Sequence, residues 1–224
     1  LLRRLLALVL ILLPHGLRRH YARAVLGWDI HPTAQLGRSL FLVKHVSMGP
    51  ESSVGSMNVF RGLDELRFGT GAKMATRNWV AAHPLSGIVY NSPTRTSALI
   101  LGDWAKVTNA HIIDCTDRVE LGAHAVLAGF RTQVLTHSLE LVRDQHYSKP
   151  VSVGDHSVVM SGSLLLCGSG VPPRCVVSAG SVVATKLTQP DTLYRGNPAA
   201  PVRKLSRLKF FERTEVEERR DVSP

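Results

Sequence analysis

The chain has 224 residues, enough for one generous domain with a sizeable core, or one domain with appendages. Aromatic residues make up only 6%, while Val, Leu, Ser, Gly and Ala are plentiful, which suits a narrow stacked core better than a jigsaw of large rings. A net charge of +10 invites anionic partners, yet no helix-turn-helix, finger or RNA-binding signature accompanies it, so nucleic acid is not an expected partner.

Residues 1–27 differ from the rest. Leu5 to Leu13 are nine consecutive apolar residues ended by Pro14, and a bilayer span needs about twenty. Arg3 and Arg4 precede this run as in a signal peptide, but no small-x-small cleavage site follows. A second amphipathic segment, Leu17 to Leu26, carries Arg18, Arg19 and Arg23. The pattern predicts a helical hairpin, either peripheral on the inner leaflet of a membrane, against a neighbouring subunit, or packed on the end of the following domain. The sequence opens on Leu1, so a longer apolar run upstream stays open.

From Ile30 a period of six begins: Ile30, Leu36, Leu42, Met48 and Val54 are apolar first places, and Gly37, Gly49 and Gly55 follow three of them. The phase then loosens through residues 60–73, and residues 81–98, rich in Pro, Ser and Thr, read as an excursion loop or a distorted coil. At Leu101 the rhythm returns. From Leu121 to Val153 is 32 residues, not a multiple of six, so something must loop out directly after His137.

The strongest stretch is Val153 to Lys186. Its first places, Val153, Val159, Leu165, Val171, Val177 and Val183, are all aliphatic, and its fifth places, Ser157, Ser163, Ser169, Cys175 and Ser181, are all small. Neither a helix nor an alternating strand has that period. A triangular solenoid does, with one short strand and one corner per hexad and three hexads per coil. The cysteines Cys115, Cys167 and Cys175 show no paired spacing, which argues against a disulfide framework or a zinc knot and leaves a reducing compartment as the default. Beyond Lys186, residues 187–205 are expected to close the prism. The charged tail has helical spacing and should cover the open end or a neighbour. The division is therefore 1–27 helical, 28–205 solenoid and 206–224 tail.

Three pieces carry a resemblance: LGAHAVLAGFRTQVLTHSLEL, PVSVGDHSVVMSGSLLL and VVSAGSVVATK with YRGNPAAPVRKL. Together they resemble the hexapeptide-repeat acyltransferases, in the galactoside and maltose O-acetyltransferase branch, and are similar to acetyltransferases of polysaccharide biosynthesis. The resemblance implies an all-β, left-handed parallel β-helix with helical appendages. The left hand comes from the resemblance alone, because crossovers between parallel strands are nearly always right-handed. It also implies a cytoplasmic homotrimer with acetyl-CoA between adjacent prisms, a sugar or glycan hydroxyl as acceptor, and no metal.

Residue by residue, the resemblance makes His137 the general base. That suits a weakly nucleophilic sugar hydroxyl and an imidazole that titrates near neutrality. Glu140, near in sequence, is expected to orient its ring. Ser161 and Ala179 match backbone contacts to the pantetheine arm, Thr185 and Lys186 a pair near the adenosine phosphates, and Arg203 the second of two basic positions there. The first basic position falls on Ala200, which implies thinner phosphate contacts, and Val158, Val159 and Met160 stand where the family often carries Trp. Asn109, His111, Asp114 and Arg131 are expected on the acceptor side. Two rivals use the same fold. A γ-class carbonic anhydrase needs two histidines five apart, a pair absent among His111, His124, His137 and His146. A non-catalytic scaffold is not excluded by the repeat itself.

Overall fold

A chain that turns inward once in six residues has no long element to form, and it winds instead into coils of three short strands. The structure, a computed structural model, describes residues 2–83, 95–206 and 208–215, with side chains from Leu5 onward. Three parallel walls result. The first runs over seven strands from Asp29–Ile30 to Gly170–Val171, and the third over seven from Leu40–Leu42 to Val182–Val183. The second begins at Gln35–Leu36 and passes through Val176–Val177 to Thr192–Arg195 and the antiparallel strand Ala200–Lys204, nine strands in all.

The hexad places carry the core. Val153, Val159, Leu165, Val171, Val177 and Val183 are all buried, and so are Ser157, Ser163, Ser169, Cys175 and Ser181 at the corners. Each inward aliphatic side chain contributes about 1.5–3 kcal/mol by leaving water. The small corner residues then satisfy the turning backbone, as when Ser157 Oγ donates to the Pro172 carbonyl at 2.6 Å and accepts the Cys175 N–H at 3.0 Å.

One expectation about phase needs correction. Leu42 is not an inward residue; Phe41 takes that place, 1% exposed, and stacks on Phe60 one coil later at 4.9 Å. The phase loosens through residues 60–73 as expected, yet strand pairing is kept. Met48, Val54 and Phe60 pair in register with Phe68, Met74 and Val80. This coil is longer than the first because the corner at Gly62, Leu63 and Asp64 takes extra residues, with Leu63 tucked inside at 1% exposure. Of the irregular stretch 81–98, residues 84–94 lie outside the described residues.

The missing register after Leu121 is a protruding hairpin. His137–Glu140 pairs antiparallel with Gln145–Ser148, and the chain rejoins the first wall where Val119 and Leu121 pair with Val151 and Val153. His137 is its first residue.

At the N-terminal end, helix Leu2–Leu12 stops at Pro14, and helix His15–Ala24 follows. Pro14 cannot donate to the first helix, but a proline is tolerated where the second begins. Leu10, Ala22 and Leu26 are buried in one cluster with the first coil, and Ala7 is buried as well. Arg18, 4% exposed, pins the hairpin there, donating to the Leu13 carbonyl at 3.0 Å and the Leu36 carbonyl at 3.1 Å. The hairpin therefore packs on the end of the prism, one of the alternatives the sequence left open. At the other end Tyr194, 2% exposed, plugs the last coil, and its hydroxyl donates to the Gln189 carbonyl at 3.0 Å. In the tail, expected to be helical over 206–224, a 3-10 turn covers Lys209–Glu212; residues 207 and 216–224 lie outside the described residues.

Candidate active site

The base of the hairpin meets the end of the third wall, and there a carboxylate is held by many donors. Asp114 ends the strand Ile112–Asp114. Its Oδ1 accepts the Thr116 N–H at 3.0 Å and the Thr116 hydroxyl at 2.6 Å. Its Oδ2 accepts the N–H groups of Thr136 at 2.8 Å and His137 at 3.1 Å, and the Thr136 hydroxyl at 2.9 Å. The same Oδ2 lies 2.7 Å from His137 Nδ1. Burial alone would push Asp114 up, but hydrogen bonds from His137 and Thr116 outweigh it and hold the carboxyl well below its usual range. Its partner moves the other way. The hydrogen bond to Asp114 raises His137 above an ordinary histidine, against opposing effects of desolvation and of the Arg95 charge.

With Nδ1–H donating to a carboxylate, Nε2 is the ring's acceptor nitrogen. The His137 side chain keeps 30% of its surface in contact with solvent, so a substrate can reach it. His83 stands edge-on to it, ring centroids 5.0 Å apart, and Arg95 Nη2 donates to the His83 carbonyl at 3.2 Å. Both ends of the irregular 81–98 stretch thus return to this site. Underneath, buried Asp117 accepts from the Ser148 hydroxyl at 3.1 Å, tying the returning strand of the hairpin down. Cys167 Sγ donates to the Thr136 carbonyl at 3.1 Å, and burial raises its thiol.

The carboxylate on His137 is therefore Asp114 and not Glu140. Along the hairpin strand His137–Glu140, Glu140 pairs with Arg143 at 3.8 Å. Asp114 itself lies beneath the histidine, with both oxygens committed to it and to the threonines.

His111 is not on a cleft. It is fully buried, Nδ1 accepts the Thr132 N–H at 3.1 Å, and Nε2 lies 3.0 Å from the Thr108 hydroxyl. Desolvation lowers its pKa to about 4, partly offset by backbone hydrogen bonds, so the ring is neutral and structural. It belongs to a ladder of corner residues between the second and third walls. Asn58 N–H donates to Ser39 Oγ, Asn78 N–H to Asn58 Oδ1, and His111 N–H to Asn78 Oδ1, each at 2.9 Å. Its neighbours Asn109 and Arg131 are exposed on the same corner, where Asn109 Oδ1 accepts the Thr76 hydroxyl at 2.9 Å. The third wall separates them from His137.

The remaining candidates divide between two edges. Ser161 and Ala179 share the second-to-third-wall corner one coil apart, where the Gly180 N–H donates to the Ser161 carbonyl at 3.0 Å. Thr185 and Lys186 are exposed at the opposite edge of the third wall, where Lys186 bridges to Gly170. Arg203, exposed, pairs with Leu193 on the strand that extends the second wall.

No family model and no curated protein matches the sequence. Solved structures do. A hexapeptide-repeat-containing acetyltransferase from Vibrio cholerae O1 biovar eltor, complexed with acetyl coenzyme A, superposes with TM-score 0.50 at 19% identity, over 92% of this chain and 88% of that one. A Bacillus cereus protein assigned as an acetyltransferase gives TM-score 0.51 at 15% identity, over 87% and 88%. A maltose O-acetyltransferase from Clostridium difficile 630 gives TM-score 0.48 at 20% identity, over 66% and 72%. At these identities the likeness is one of fold: this chain has the left-handed parallel β-helix of the hexapeptide-repeat acetyltransferases.

Proposed function

We infer that the chain is an acyl-CoA-dependent O-acetyltransferase that moves acetyl from acetyl-CoA to a hydroxyl of a sugar, in polysaccharide biosynthesis in the cytoplasm. The observation that carries this is the contact between His137 Nδ1 and Asp114 Oδ2 at 2.7 Å beside a hairpin that interrupts an otherwise regular wall. His137 Nε2 takes the proton as the sugar oxygen attacks the thioester carbonyl. The C–O bond forms, the C–S bond breaks, and the imidazolium returns the proton to the departing CoA thiolate. Asp114 is a positioning residue, fixing the tautomer and steadying the imidazolium.

Acetyl-CoA, as co-substrate, would lie along Ser161 and Ala179, with Thr185, Lys186 and Arg203 toward its phosphates. A homotrimer fits this division. Ser161 and Ala179 occupy one edge of the third wall, Thr185 and Lys186 the other, so two adjacent prisms bring the two sets to face each other. Exposed Asn109 and Arg131 would reach the acceptor in the same way, across the boundary between copies.

The test is thiol release from acetyl-CoA against a panel of free, polymeric and lipid-linked sugars. His137→Ala should lower turnover by about 10²–10⁴-fold while acetyl-CoA still binds. Undiminished turnover in that variant overturns the assignment. Absence of both CoA binding and thiol release from the parent protein would favour the rival, a non-catalytic scaffold.

A further inference from the structure

The helical hairpin buries one face and leaves another uncovered. Ala7 and Leu10 are buried, while Leu5, Leu8 and Leu12 are 52%, 43% and 81% exposed. Spaced i, i+3, i+7, these three form one stripe along the helix. Leu17 and Val25 of the next segment are 54% and 46% exposed. A run of large exposed aliphatics on a solenoid cap is uncommon unless something covers it.

The charge around the stripe decides what covers it. Residues 1–29 contain five arginines and a single acid, Asp29; Arg18 is buried, while Arg23 is exposed. A second copy docking through the same face would bring like charges together, whereas an anionic bilayer supplies the opposite charge and an apolar layer below it. Beside helix His15–Ala24 lies an open cavity of about 660 Å³ lined by His20, Arg23, Ala24, Gly27, Trp28 and Asp29. Arg23 brings a cationic fork and His20 a ring nitrogen to this lining, groups that can receive a phosphate, with Asp29 as the opposing charge beside them.

We propose that the hairpin is an interfacial anchor for anionic phospholipid: the Leu5–Leu8–Leu12 stripe enters the acyl boundary, and His20 and Arg23 receive a headgroup phosphate. No helix among the described residues is long and apolar enough to cross a membrane. The hairpin packs on the first coil and contributes nothing to His137, so the anchor is independent of the proposed chemistry.

Co-sedimentation of the full chain with phosphatidylcholine vesicles, with and without phosphatidylglycerol, tests this. Binding should require phosphatidylglycerol and weaken with salt. A Leu5→Ser, Leu8→Ser, Leu12→Ser variant should lose more than about tenfold of its binding, and Arg23→Glu about tenfold. All four side chains are exposed, so circular dichroism and gel filtration should match the parent. Failure to bind, equal binding to both vesicle types, or undiminished binding of the serine variant overturns the anchor. Self-association lost in the serine variant, without vesicle binding, assigns the face to a second copy instead.

Discussion

Asp114 and His137 lie 23 residues apart in sequence, yet one carboxylate oxygen meets both the His137 backbone N–H at 3.1 Å and its ring Nδ1 at 2.7 Å. Such a double hold fixes the backbone and the ring of the histidine together. It also fixes a pH dependence. The proposed base is competent only when neutral, and Asp114 raises its pKa. Turnover should therefore rise with pH through a midpoint above about 6.5, the ordinary histidine value. In Asp114→Asn the midpoint should move down and the plateau fall by roughly 10–10²-fold, part of what a positioned base contributes. A loss of activity with the midpoint unmoved would make Asp114 merely structural.

The same pair should be seen in stability. Asp114, held low, stabilises the fold above the ordinary carboxylate pKa, and that contribution is lost as pH falls through its folded value. His137, held high, contributes below the ordinary histidine pKa and loses that as pH rises through its folded value. Urea denaturation should show Asp114→Asn most destabilised, relative to the parent, between about pH 4 and 6.5.

His111 predicts a different pH effect. Its folded pKa of about 4 lies below that of the unfolded chain, so the unfolded state binds a proton first as pH falls. Stability should decline from about pH 6.5 towards 4, by on the order of 3 kcal/mol from this residue. His111→Asn, which copies Asn58 and Asn78 in the same ladder, should flatten that decline and leave turnover unchanged. A raised KM for the sugar would instead return His111 to the acceptor site.

Glu140 should be dispensable. Its pairing with Arg143 on an exposed hairpin is worth about 0–1 kcal/mol. Turnover in Glu140→Gln within about twofold of the parent is the expected result, because removing a surface ion pair leaves the His137 geometry alone.

Packing supplies a further test. Gly71 has φ +63°, and a methyl group there would overlap the ring of Trp104, which is 2% exposed. Neither the strained backbone nor the buried ring can yield cheaply. Gly71→Ala should cost about 2–4 kcal/mol, read as a fall in the denaturation midpoint.

The prism was legible because its inward places are chemically uniform. Val153 through Val183 differ little in size, and only a period of six puts them all inside. The protruding hairpin was legible as an excess of residues between Leu121 and Val153 that is not a multiple of six. The partner of His137 was not, because sequence proximity favoured Glu140 while the coils bring Asp114 beneath it from the preceding turn of the third wall. The structural role of His111 was also hidden. A signal existed: His111, Asn78 and Asn58 each stand four residues after the inward residues Val107, Met74 and Val54, the place the later coils give to serine. Polar residues that recur at that place complete a corner and do not reach a ligand. The slip at Leu42 is local: Phe41 comes inward five residues after Leu36 and stacks on Phe60, and the corner before Met48 takes the extra residue.

Coil stacking also works as a ruler. On the third wall, four strand-to-strand steps separate Leu40–Leu42, against which the first helix packs, from Gln133–Val134, just before His137. At about 4.8 Å per step, that is roughly 19 Å of rigid height between the helical base and the histidine. Inserting or deleting one coil between them would raise or lower the site by about 4.8 Å while leaving every local contact intact. Coil number sets the reach of the site above whatever its helical base stands on, independently of its chemistry.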